Sequence, residues 1–198
     1  MRRTLHPWLA ITILCFSTLT PTPSYAGKSI GEVQQFEKVK LQALNGNPNS
    51  QVLLASYLEG GIGVEKDEVE AVKWYRKAAD QGYHPAQFAL GVNYAAGVGV
   101  AKDVIQAISW YRKAADQGNE FAQTSLGNRY TLGDGVPKDY IEAYAYLNLA
   151  GVTFPDARKM LANLEREMSQ EAIFLGQKRT KELQKEIEAK IAAKKAGK

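Results

Sequence analysis

Apolar residues fall at helical spacing through most of the chain, and the spacing itself recurs. Ala86, Leu90 and Tyr94 lie at i, i+4 and i+8 on one helix face, with Gly91 beside them to admit a close neighbour. Ala122, Leu126 and Tyr130 repeat the arrangement with Gly127, and Ser50, Leu54, Ala55 and Leu58 give a looser version of it. A second face, Ala71, Trp74, Tyr75, Ala78 and Ala79, returns as Ala107, Trp110, Tyr111, Ala114 and Ala115, a step of 36 residues at every position. Between the two helices stand the turns GIGV at 61–64, GVGV at 97–100 and GDGV at 133–136, whose paired glycines predict backbone angles that a side chain would obstruct. The third copy carries Gly133, Gly135, Val136, Lys138, Asp139 and Ala143 in register with the first two.

A period of this length predicts a stacked array, because one helix pair cannot bury its own apolar face and neighbours must cover each other. The fold class is therefore all-α, an α-solenoid of antiparallel helix pairs with three 36-residue repeats at 49–84, 85–120 and 121–156. Capping helices are expected at both ends, over 27–48 and 157–198. The first is a half-repeat near 30–45, with Val33, Phe36, Ala43 and Leu44 apolar and Asn45-Gly46 as its stop. At the other end Pro155 opens a helix through Ala157, Leu161 and Leu164, and Ser169 caps a long final helix through Ile173, Leu183, Ile187 and Ile191. Each second helix begins with the D-x-x-E/Q spacing of a capping box: Asp67 with Glu70, Asp103 with Gln106, Asp139 with Glu142. Tyr146-Leu147 in place of Trp-Tyr, and Leu58 in place of Tyr, predict less well defined outer units.

The first 26 residues have the layout of an export signal: Arg2-Arg3, an apolar run from Trp8 to Leu19, then Ser24-Tyr25-Ala26. Cleavage near Ala26/Gly27 and a periplasmic or secreted location are expected. The single cysteine, Cys15, lies within this segment, so the remaining chain must be stabilised by packing and offers no thiol chemistry. Charge is unevenly placed: 27–177 carry 15 Lys and Arg against 18 Asp and Glu, whereas 178–198 carry 8 against 3. An exported protein with an acidic body is a poor nucleic-acid binder.

The motifs A-x-x-x-L-G-x-x-Y, G-x-G-V-x-x-D, A-x-x-W-Y and A-A-x-x-G at this period resemble the Sel-1-like repeat, a relative of tetratricopeptide arrays. YAYLNLAG at 144–151 and MSQEAI at 168–173 resemble the C-terminal closure of bacterial members. The resemblance implies a right-handed superhelix and an adaptor that binds a protein partner. It also admits two narrower readings, a periplasmic immunity protein that neutralises a secreted effector and a cell-wall or β-lactam hydrolase. The hydrolase analogy rests on cysteine-rich members, whose cysteines are missing here.

Catalytic candidates are few. His84 is the one histidine after residue 26 and stands before Pro85 in an inter-repeat turn, with neither cysteine nor second histidine to pair with it. The GxGV turns lack the Lys-Ser/Thr of a phosphate loop, and Asp67, Asp103 and Asp139 occur one per repeat, as caps rather than metal ligands. No catalytic residue, cofactor or metal is assigned. Binding has better candidates in the first-helix positions that the period leaves free. If those helices line the concave side, Val52, Ser56, Glu59, Phe88, Val92, Ala95, Thr124, Asn128 and Thr131 face a groove, or else pack against adjacent repeats. Phe88 and Val92 would form its apolar centre, a seat for a peptide or helix. The basic final helix, with Glu182–Lys185 and Glu186–Lys190 pairs, reads as a solvated helix or as a contact for a partner helix or an anionic membrane surface.

Overall fold

The computed structural model describes residues 27–197, so the export signal and its cleavage site lie outside the described residues. Within them the chain is helical throughout: α1 Ile30–Leu44, α2 Pro48–Gly60, α3 Glu68–Asp80, α4 His84–Ala96, α5 Val104–Ala115, α6 Glu120–Leu132, α7 Tyr140–Ala150, α8 Pro155–Glu165 and α9 Gln170–Ala196. Each helix from α1 to α7 packs on the next in sequence, and α9 returns to lie against α7. The result is an α-solenoid of antiparallel pairs, α2/α3, α4/α5 and α6/α7, closed by α1 at one end and by α8 and α9 at the other.

The pairs close tightly for a steric reason. A Cβ on Gly91 would stand 2.6 Å from the Tyr111 ring, and one on Gly127 2.7 Å from Leu147, so glycine is what lets α4 meet α5 and α6 meet α7. Leu54, Leu90 and Leu126, the same position in three repeats, are fully buried. Each stabilises the stack by about 1.5–3 kcal/mol of apolar burial. The substituted outer positions are as well packed as the central ones: Leu58, Tyr146 and Leu147 are all buried, so the looseness expected of the outer units does not occur. Leu147 fits because Gly127 leaves room for it, as Gly91 does for Tyr111.

The turns have a second role beyond their left-handed glycines. A Cβ on Gly63 would stand 2.3 Å from the Glu32 carbonyl oxygen, and on Gly99 2.1 Å from that of Glu68, so each turn rests on the second helix of the preceding unit. That is how α1, a half-repeat, is held. It buries Phe36, Val39 and Ala43, while Leu44, expected in its core, is 60 % exposed. Gln35, Lys38 and Gln42 are exposed at positions equivalent to the buried Ala71, Trp74 and Ala78, giving the array a polar end.

The capping boxes form by half. Asp67, Asp103 and Asp139 accept from the amides of Glu70, Gln106 and Glu142 at 2.8–3.0 Å. The reciprocal bond is missing because the aspartates' own amides already donate to Leu58, Tyr94 and Tyr130 at the ends of the first helices. Glu70 is thereby free to pair with Lys73, and Glu142 with Arg179. Ser29 with Glu32 at the start of α1 is a full box.

Helix α9 is docked along one face and solvated on the other. Leu183 and Ile187 are buried, and Gly176 allows α9 to lie on the Tyr144 ring, where a Cβ would stand 2.6 Å away. Its ion pairs differ from those expected within the helix. Arg179 takes Glu142, Glu182 and Glu186, and Lys190 reaches Asp116 at 2.8 Å. Lys194 donates to the carbonyl of Gly82 at 3.0 Å and to Gln117. The basic helix thus spans all three repeats, because the ends of α3 and α5 present carbonyl and carboxylate oxygens to it.

Candidate functional site

The period-fixed aromatic residues are consumed by packing. Trp74, Tyr75, Trp110 and Tyr111 are buried, with Lys77 and Lys113 over the two indoles at 3.6 and 3.7 Å. Burial raises the phenol pKa of Tyr75, helped by the Glu59 carboxylate, and that of Tyr111 despite the nearby Arg129. These hydroxyls stay protonated, and Tyr75 donates to Glu59 at 3.2 Å. His84 is the first residue of α4 rather than a turn residue, and its Nδ1 lies 3.1 Å from the Asn119 carboxamide nitrogen. Burial lowers its pKa, and Lys194 opposes its charge while Glu120 favours it. Neutral, the ring accepts from Asn119 and ties one repeat to the next.

A line of buried glutamines does the same and is absent from the sequence expectations. Gln51, Gln87 and Gln123 donate to the carbonyls of Ala43, Ala79 and Ala115 at 3.2, 3.2 and 3.5 Å, each in the last turn of the preceding second helix. Gln81 and Gln117 donate in turn to Gln51 and Gln87 at 2.7 Å. Their common step of 36 residues was the available signal, hidden because a polar side chain at a helix start reads as solvated.

The nine free positions divide. Val52 is half-buried between the first two repeats, and Phe88 turns onto Tyr111 and Phe121 with ring centroids 5.8 and 5.7 Å apart. Ser56, Thr124 and Thr131 donate to carbonyls of their own helices, Leu53, Glu120 and Gly127, and Glu59 holds Tyr75. Ala95 packs partly against the central cluster. Val92 and Asn128, at one register of successive first helices, remain exposed, Val92 by 40 %. Beside them Phe121 is partly exposed and stacks edge-on to Phe154 at 5.0 Å. Asn128 and Thr131 also line a cavity of about 170 Å³ that α8 closes with Met160, Asn163 and Leu164, and Glu167 just beyond. Of the nine, Val92 and Asn128 are therefore exposed and the other seven are half-buried.

Among the described residues no group of three or more His, Cys, Asp or Glu is placed to hold a metal ion, and no helix is long and apolar enough to cross a membrane.

The Sel1 repeat model matches residues 48–83, 84–119 and 121–151. Among solved structures, a Sel1 repeat protein from Oxalobacter formigenes is 32 % identical with a TM-score of 0.59, covering 68 % of this chain and 59 % of its own. The protein c5321, a protective antigen present in uropathogenic Escherichia coli strains and displaying an SLR fold, is 27 % identical with a TM-score of 0.60, covering 84 % of this chain. This chain spans 44 % of that protein's length. The curated proteins contain no match. With three matched repeats across half its length, each built on the same glycine turns, capped second helices and buried glutamines, the chain belongs to the Sel1 repeat family.

Proposed function

We propose that this protein is an exported, periplasmic or secreted adaptor that holds a protein partner on the first-helix face of its array and performs no chemistry of its own. Sel1 repeat proteins generally mediate protein–protein interaction. The observation that carries the reading is the division of labour within the repeat. Period-fixed helix positions such as Leu90, Leu126, Trp74 and Trp110 are buried, whereas Val92 and Asn128 change identity at one register and face solvent. A face that combines an apolar side chain, a carboxamide and the edge of Phe121 suits protein recognition. Export rests on the basic, apolar and small-residue order of residues 2–26. A protective antigen among the solved relatives supports an envelope or extracellular setting.

Two measurements test this. Recovery of an envelope partner by the wild type should fall at least about tenfold for Val92→Glu at unchanged melting temperature, since burying an unpaired charge at an interface costs more than about 1.4 kcal/mol. Equal recovery would reject the face. N-terminal sequencing of the exported protein should begin at Gly27, and retention of Met1 would reject cleavage.

A further inference from the structure

Helix α9 uses one face to close the array and leaves the opposite face uncovered. Gly176, Thr180, Leu183 and Ile187 are buried on the inner side. The outer side carries Phe174, Lys178, Lys181 and Lys185 at i, i+4, i+7 and i+11, all of them exposed. At 1.5 Å per residue the row is about 16 Å long. Cations elsewhere on the helix are engaged: Arg179 takes Glu142, Glu182 and Glu186, and Lys190 takes Asp116. Two of the four glutamates of α9 are thereby drawn to Arg179, Glu188 accepts from Gln184 at 2.9 Å, and Glu171 stands in the first turn. The three outer lysines make no ion pair among the described residues, within a segment, 178–198, that carries 8 Lys and Arg against 3 Asp and Glu.

Lysines in consecutive turns stand within a Debye length of about 8 Å, so their potentials add. An ammonium is a compact, hydrated point charge on a flexible stem and meets phosphate oxygens without the fixed fork of a guanidinium. A straight row of such charges suits a continuous anionic plane. An acidic protein partner would instead be anchored by a well-packed, desolvated centre, and the apolar face of α9 that could supply one is already docked on the array. Phe174, 65 % exposed at the head of the row, and Leu175 beside it add an apolar end that enters a headgroup layer. We infer that the outer face of α9 docks on an anionic phospholipid bilayer, with Lys178, Lys181 and Lys185 over the phosphates and Phe174 among the headgroups. Because the apolar face of the helix is held by the array, the contact is mainly electrostatic and α9 stays at the surface. It shares no residue with the partner-binding face at Val92 and Asn128, so either reading can fail alone.

The test is co-sedimentation of the chain from Gly27, whose described residues form an array closed at both ends, with phosphatidylcholine vesicles containing about 30 % phosphatidylglycerol. Binding is expected on these vesicles, not on phosphatidylcholine alone, and should be released by about 0.5 M salt. Replacing Lys178, Lys181 and Lys185 together by Gln should weaken it roughly a hundredfold, about fivefold per lysine. The melting temperature should not change, since all three side chains are exposed. Phe174→Ser should weaken it about threefold. Equal binding to neutral vesicles, or unaltered binding by the triple variant, would overturn the proposal. Unaltered binding by Phe174→Ser together with full competition by soluble polyglutamate would also overturn it, assigning the row to an acidic polypeptide.

Discussion

The side-chain amide of Gln87 donates to the carbonyl oxygen of Ala79 across 3.2 Å, joining the first helix of one repeat to the last turn of the repeat before it. Gln87 is buried, and its own oxygen is occupied by Gln117 at 2.7 Å. The Ala79 carbonyl also accepts from the backbone amide of Gly82 at 2.9 Å, so Gln87 supplies a further hydrogen bond to it. Stacking of repeats is therefore fixed by polar pairing as well as by leucine packing.

Replacing Gln87 by Leu should cost about 0.5–1.5 kcal/mol, because the Ala79 carbonyl and the Gln117 amide each lose one hydrogen bond while keeping Gly82 and Lys113 as partners. At this chain length each kcal/mol lowers the melting temperature by about 2–4 °C. Thermal denaturation checks it, and a double-mutant cycle with Gln117→Ala should show coupling; strict additivity would mean the two glutamines act independently.

Gly91→Ala should destabilise by about 1–3 kcal/mol, since the added methyl meets the Tyr111 ring at 2.6 Å and the helices must part. Tyr111→Ala removes the ring that the methyl at position 91 would meet. Gly91→Ala should therefore cost less in that background. An equal cost in both, measured by urea unfolding, would show that the ring is not the obstacle.

Gly176→Val should lift α9 from the Tyr144 ring and loosen its hold on the array. Hydrogen exchange should then rise along α9 and at the Gly82 and Gln117 ends that Lys194 touches, with α2 protected as before. Exchange confined to the residues beside position 176 would mean the far end of α9 docks by itself.

His84 gives a pH dependence of defined sign. Its folded pKa lies below the ordinary value of 6.5, chiefly through burial, so the native state favours the neutral ring that accepts from Asn119. Stability from this group is present above pH 6.5 and is lost as pH falls through the lowered folded value, because the unfolded chain then binds the extra proton. His84→Gln should flatten the melting-temperature profile on the acid side of about pH 6.5, where the unfolded imidazole takes up its proton. A profile unchanged by the substitution would assign the loss to other groups.

Much of the fold was legible because repetition amplifies weak signals. Gly61 with Gly63, Asp67 and the Trp74-Tyr75 pair would each be ambiguous alone, and recurrence in register, three times for the glycines and the aspartate and twice for the Trp-Tyr pair, made them a turn, a cap and a helix. The reciprocal half of each capping box was not legible, since it depended on whether Leu58, Tyr94 and Tyr130 had claimed the aspartate amides. The site was less legible than the fold. Val92 and Asn128 were identifiable as free positions, but Phe88 beside them turned inward once Phe121 and Tyr111 stood within ring contact. Asn163, which lines the same cavity as Asn128, lies beyond the third repeat, so no periodic signal pointed to it.

By itself the sequence determined the helical period, the turn conformations and the residues that each repeat must bury, because those depend on contacts that recur at fixed separation. Only the tertiary structure decided where α9 goes, which free side chains keep their solvent and which oxygens meet around the α6–α8 cavity. These outcomes depend on pairs such as Lys194 with Gly82, whose separation of 112 residues leaves no periodic trace along the chain. Closing so long a loop is an entropic cost that many packed contacts share, and no local pattern encodes which distant surface will receive the helix.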